Sequence, residues 1–159
     1  MTESHDFFVA SVGAAAALVG LLFVAVTLAP ERIFGPEAHP KRRADATRAF
    51  VALGNIFLIS LAALIPHAGL EIMLLVSVLS IGQLAREAVR STRHHPLPQV
   101  LRSFGLISLL IYIFEIVIIL QAMTSGRNID GLLGVIFGLF AYALATSWNL
   151  LGAKELPGS

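Results

Sequence analysis

Of the side chains in this 159-residue sequence that could do chemistry, one stands apart by its surroundings. Glu115 sits in YIFEIVIIL, a carboxylic acid inside an almost unbroken apolar run. At about 1.5 Å of rise per residue, its distance from Arg102 on one side and Met123 on the other puts it close to the midpoint of a membrane-crossing helix. An acid at that depth costs about 2.5 kcal/mol or more on insertion scales. It must therefore face protein or water, find a partner, or hold its proton. Asn55, at similar depth in an earlier apolar segment, is the expected partner. Tyr112, three residues before Glu115, shares its helical face, and Tyr142 and Thr146 are further candidates. Together Glu115, Asn55 and Tyr112 read as a proton- or cation-handling site. The plainer reading of the same acid is a neutral group hydrogen-bonded across helices as structural glue. No Lys or Arg lies inside any apolar core, which disfavours a charge-paired transporter and anion conduction.

A second group of candidates lies at a turn. Glu71 opens an apolar segment just after Pro66-His67-Ala68-Gly69, where a carboxylate favours a helix N-terminus. His67 and Glu71 are four apart, and with His5 or Asp6 they would form an acidic and imidazole cluster at an outer mouth, or a divalent-metal site. Taken by itself His67-x-x-x-Glu71 is a weak metal signal, so no metal and no cofactor is assigned. Ser60, Ser77, Ser80 and Gln83 occur singly and read as packing residues that form hydrogen bonds. Nucleotide loops, hydrolase elbows and zinc-protease motifs are missing. With no cysteine to serve as nucleophile, disulfide partner or thiolate ligand, an enzyme is not expected.

The elements that must position these groups follow from composition. Hydrophobic residues make up 57% of the chain and charged ones 13%, against roughly 45–50% and 25% in a soluble domain. A soluble fold of this length has too little interior for so much apolar surface. A spanning helix needs about 20 mainly apolar residues, and five stretches qualify or come close: 7–29, 49–65, 70–85, 104–123 and 132–153. The second is short in apolar residues, but its helix could begin as early as Lys41, after Pro40. The third is expected to continue as a polar helix to about Arg93. The fold class is therefore all-α, a polytopic transmembrane bundle of five spans in a single domain, 1–159. The second and third spans form a tight antiparallel hairpin, with a re-entrant pair as the competing reading.

Lys and Arg set the orientation. The chain has 11 basic residues, and only Arg127 falls on the far side, leaving ten for the other: Arg32, Lys41, Arg42, Arg43 and Arg48, then Arg86, Arg90, Arg93 and Arg102, and finally Lys154. The N-terminus is expected outside and the C-terminus in the cytoplasm. Lys41, Arg42 and Arg43, with Arg86, Arg90 and Arg93 on one helical face, make a basic inner surface suited to anionic headgroups. A net charge of +1 gives no reason to expect nucleic-acid binding.

The pattern HDFFV…GAAAALVGLLFVAVTLAPERI, followed by LIP…GLE, resembles a group of small bacterial multi-spanning membrane proteins of unknown function. The resemblance covers about the first half of the chain. It implies a bacterial inner-membrane location and carries over no activity.

Helices in lipid associate through close packing and hydrogen bonds. Small residues recur at Ala10, Gly13, Ala17 and Gly20 in the first span, and at Gly131, Gly134, Gly138, Ala141 and Ala145 in the fifth. Both faces are expected to pack against protein, within the subunit or between subunits, while the bulky fourth span meets lipid. The functional expectation is a homo-oligomeric pore or a proton or monovalent-cation channel, with Glu115 or Glu71 repeated about a symmetry axis. The alternative is an accessory or assembly subunit that binds a larger membrane-protein complex.

Overall fold

The computed structural model describes residues 2–28, 30–35, 40–65, 69–92, 106–125 and 130–152. Among them the chain is entirely helical: α1 (Thr2–Leu28), α2 (Pro30–Phe34), α3 (Pro40–Ala63), α4 (Gly69–Thr92), α5 (Leu106–Ser125) and α6 (Asp130–Gly152). Prolines punctuate the first half. Pro30 lacks the N–H that would continue α1, but it suits the first position of the short α2. Pro40 opens α3 in the same way, so α3 starts well before its apolar stretch and takes in the basic segment from Lys41 to Arg48.

Four helices are long and apolar enough to cross a membrane: α1, α3, α4 and α6. The described apolar part of α5, Ser108–Thr124, is shorter. What faces outward supports a hydrocarbon surrounding. Leu28 is 80% exposed, Leu21 67%, Phe137 65%, Leu110 63% and Phe114 60%, and aqueous surfaces rarely carry apolar patches on that scale. As expected, the outer side of α5 is bulky and apolar, from Leu109 through Phe114 and Val117 to Met123.

Inside, α3 is the most enclosed of the four spanning helices. It packs against α1, α4 and α6, and α5 closes the bundle by packing between α4 and α6. Thus α3, α4, α5 and α6 surround a common interior, while α1 lies on the far flank of α3 and touches α6 lightly. The core is built from Ile56, Ile59, Met73, Ile119, Leu132 and Ile136, with Phe8, Ala15 and Leu22 supplying the α1 side. The α3–α4 hairpin is tight. Leu64 and Ile65 donate to the carbonyls of Leu61 and Ala62 as α3 ends, and a Cβ at Gly69 would run into the Ala62 carbonyl.

The small-residue faces do not make the contact within the subunit that was one of their two expected uses. A Cβ added at Gly13, Gly20, Gly134 or Gly138 would meet nothing within 4 Å, and Ala10, Ala17, Ala141 and Ala145 are exposed. Helices α1 and α6 face the core with Phe8, Leu22, Val26, Leu132, Ile136 and Leu139, and most residues of these stripes are exposed alongside Leu21, Phe23 and Phe137. Gly131 is the exception: the Ile118 side chain of α5 lies 3.2 Å from where its Cβ would be.

Candidate functional site

The interior of the four-helix group is apolar except near its middle, where α3, α4 and α5 each supply polar side chains. Glu115 has no exposed surface. Asn55 of α3 donates through Nδ2 to Glu115 Oε2 at 2.8 Å, which joins the two residues that depth along the helices had paired. Helix α4 adds two residues that had been read as isolated packing groups. Ser77 Oγ donates to Glu115 Oε1 and also faces the Met73 carbonyl of its own helix at 2.8 Å. Ser80 Oγ donates to Asn55 Oδ1 at 3.0 Å. Ser77 and Ser80 are three apart and so share a face of α4. That spacing was visible in the sequence, but nothing in it indicated that the face turned toward Glu115.

Proton counting constrains this cluster. A serine hydroxyl has one hydrogen to give, yet Ser77 Oγ has two acceptors in range. With an ionised carboxylate, the two must share that hydrogen in a three-centre bond, as the Tyr142 and Ala143 carbonyls share that of Thr146. With a neutral acid all the contacts close: Glu115 gives its proton to Ser77 Oγ, Ser77 gives its own to the Met73 carbonyl, Asn55 gives to Glu115 Oε2, and Ser80 gives to Asn55. Hydrogen bonds inside membrane proteins average about 0.6 kcal/mol each. Several together are comparable with the insertion cost of the acid, about 2.5–3.5 kcal/mol, so the cluster offsets most of that cost without a basic partner.

Tyr112, one turn from Glu115 on α5, is also buried and lies within electrostatic reach of both Glu115 and Tyr142. Tyr142 Oη of α6 is buried with no hydrogen-bond partner among the described residues. Thr146 stays apart from the cluster, because its hydroxyl donates to the Tyr142 and Ala143 carbonyls one turn back.

The enclosure of Glu115 corrects one expectation. A side chain with no exposed surface cannot line an axis between subunits, so any route through Glu115 runs inside the single-chain bundle. Glu71 is exposed at the start of α4, while His67 lies outside the described residues. His5 and Asp6 stand 3.7 Å apart on an exposed part of α1. No group of three or more metal-ligating side chains gathers among the described residues.

Of the residues expected on a basic inner surface, Arg86 is exposed on α4, and Arg43 is exposed on α3 with Arg42 half-buried. Lys41 and Arg90 fall within α3 and α4, and Arg93 lies outside the described residues. Arg48, counted with the basic residues of the inner side, is not part of an exposed basic surface. It lies on α3, buried, with its guanidinium 3.2 Å from Asp45.

No protein-family model, curated protein or solved structure matches this chain. Its own geometry is therefore what describes it: an all-helical protein, with helices long and apolar enough to cross a membrane, that encloses one carboxyl among hydroxyl and amide groups.

Proposed function

We propose that this chain is a small integral membrane protein that handles protons through Glu115, with a route inside each subunit rather than between subunits. A single observation carries the reading: a fully buried acid at mid-bundle is held by side chains from two other helices, with no cation beside it among the described residues. A cation partner would lock the carboxylate in its charged form. Amide and hydroxyl partners fit either form, because each can turn from acceptor to donor. A site that tolerates both forms is what a proton carrier needs. In this reading α5 is a fifth span, the N-terminus is outside and the C-terminus cytoplasmic, and the membrane is the inner membrane of a bacterium. Ten basic residues of 11 on one side support that sidedness.

The test uses purified protein in liposomes loaded with a pH-sensitive dye under an imposed proton gradient. The wild-type chain is expected to dissipate the gradient faster than empty vesicles, and Glu115→Gln to return the rate to that of empty vesicles. Equal rates for the wild type and Glu115→Gln would remove Glu115 from the function.

One observation favours the second reading, an accessory or assembly subunit. The glycine faces at Gly13, Gly20, Gly134 and Gly138 are unoccupied within the subunit, and small residues are what membrane helices use to approach one another closely.

A further inference from the structure

Buried polar groups are spread unevenly along the bundle, and the unevenness has a direction. Toward the end where α3 and α5 begin and α4 and α6 finish, Glu115 is followed on α5 by Tyr112 and then Ser108, each 1% exposed. They are spaced three and four residues apart, so they continue the Glu115 face. On α3, Arg48 precedes Asn55 by seven residues, about 10 Å along the same face, and pairs there with Asp45. Arg42, Arg43 and Arg86 mark this as the basic end. Toward the other end the buried residues around the Glu115 axis, among the described residues, are Ile59, Met73, Ile119, Ala122, Leu132 and Ile136, none with a polar side chain. Ser60 is also buried beyond the Asn55 level, but five residues carry it about 140° around α3, off the Glu115 face.

We infer that in this conformation Glu115 exchanges its proton with the basic end of the bundle alone, through Tyr112 and Ser108, and that the apolar half beyond it is closed and opens only for the slower step that completes a crossing. This rests on the reading of Glu115 as a proton-handling group. In release, the proton leaves Glu115 Oε1, passes along the hydroxyls of Tyr112 and Ser108, and ends on water at the basic end. The carboxylate left behind keeps the Asn55 Nδ2 hydrogen bond, and the Ser77 hydrogen swings from the Met73 carbonyl to Oε1. Uptake reverses each move. Among the described residues, the titratable group near Glu115 is Tyr112 on its own helix, and Tyr142 on α6 lies near Tyr112 in turn, while α3 and α4 face Glu115 with Asn55 and Ser77, which do not titrate. The buried Tyr142 hydroxyl, which has no hydrogen bond, is where a water would be taken up beside Tyr112 to continue the chain.

The experiment is rapid-mixing infrared spectroscopy on the full chain, inserted in one orientation in proton-tight vesicles. It follows the protonated carboxyl band that Glu115→Gln removes. An alkaline step at the basic end should bleach this band, and the same step at the opposite side should leave it unchanged while the gradient lasts. Tyr112→Phe, nearly equal in size, should slow the bleach by about a hundredfold, the scale of a lost proton relay. Ser108→Ala should also slow it, and circular dichroism confirms that both variants are folded. Response from both sides, response from the opposite side only, or a folded Tyr112→Phe variant at the wild-type rate would each overturn the inference. One-sided exchange without gradient dissipation in liposomes would overturn conduction and leave the one-sided site. Dissipation with two-sided exchange would do the reverse.

Discussion

Glu115, Asn55, Ser77 and Ser80 form one hydrogen-bonded unit, so their substitutions should not be interchangeable. Glu115→Gln keeps the size of the side chain and supplies both a donor and an acceptor, and it should change stability by about 1 kcal/mol or less, the second amide hydrogen being the one group left over. Asn55→Ala removes two hydrogen bonds at once, strands Glu115 Oε2 and the Ser80 hydroxyl, and should cost about 1–3 kcal/mol. Unfolding titrations in mixed detergent micelles measure both. A large loss in Glu115→Gln would show that the native acid is charged. Half of this unit was legible in the sequence: an acid inside an apolar run must be satisfied, and depth along the helices pointed to Asn55. Ser77 and Ser80 were not, because a serine in a membrane helix can always bond its own backbone one turn back, as Ser77 in part does.

At the scale of elements, the α3–α4 hairpin sets the register of the site. Asn55 lies on one arm and Ser77 and Ser80 on the other, and their alignment with Glu115 depends on how closely the arms meet. Gly69 allows that approach, since a Cβ there would meet the Ala62 carbonyl. Gly69→Val should therefore force the arms apart, costing about 1–3 kcal/mol, and should lower the one-sided bleaching rate of the Glu115 band along with stability. A variant as stable as the wild type would show that the turn has slack. Run lengths and the closing prolines made these helices legible, including the early start of α3 after Pro40. The burial of Arg48 was not legible. The sequence puts Arg48 on α3, but which face of that helix turns inward, and so brings Arg48 beside Asp45 inside the bundle, is set by packing.

At the scale of the whole molecule, the stripes around Gly13, Gly20, Gly134 and Gly138 face away from the rest of the subunit. Bulky side chains there should spare the fold and disturb only association. Gly134→Ile with Gly138→Ile is expected to keep the helical content and thermal stability of the wild type, because a Cβ at either position meets nothing within 4 Å among the described residues. If the accessory reading holds, the same pair should abolish any complex retained in mild detergent, as read by native mass spectrometry. Loss of fold in this variant would contradict the outward placement. An unchanged assembly would mean that these faces meet lipid.

Composition and run length by themselves determined that the chain is helical and bound for hydrocarbon, because apolar stretches of spanning length can satisfy their backbone in lipid only as helices. They also located the intramembrane acid, because a carboxyl is conspicuous where every neighbour is apolar. Only the tertiary structure decided which way the faces turn. Helical periodicity states which residues share a face, but it ranks a glycine stripe and an aliphatic stripe equally when both lipid and protein are apolar. Packing settled the matter by choosing which aliphatic residues face the core and leaving most of the small-residue stripes outside it, placing Ser77 against Glu115, and gathering the buried polar groups toward the basic end.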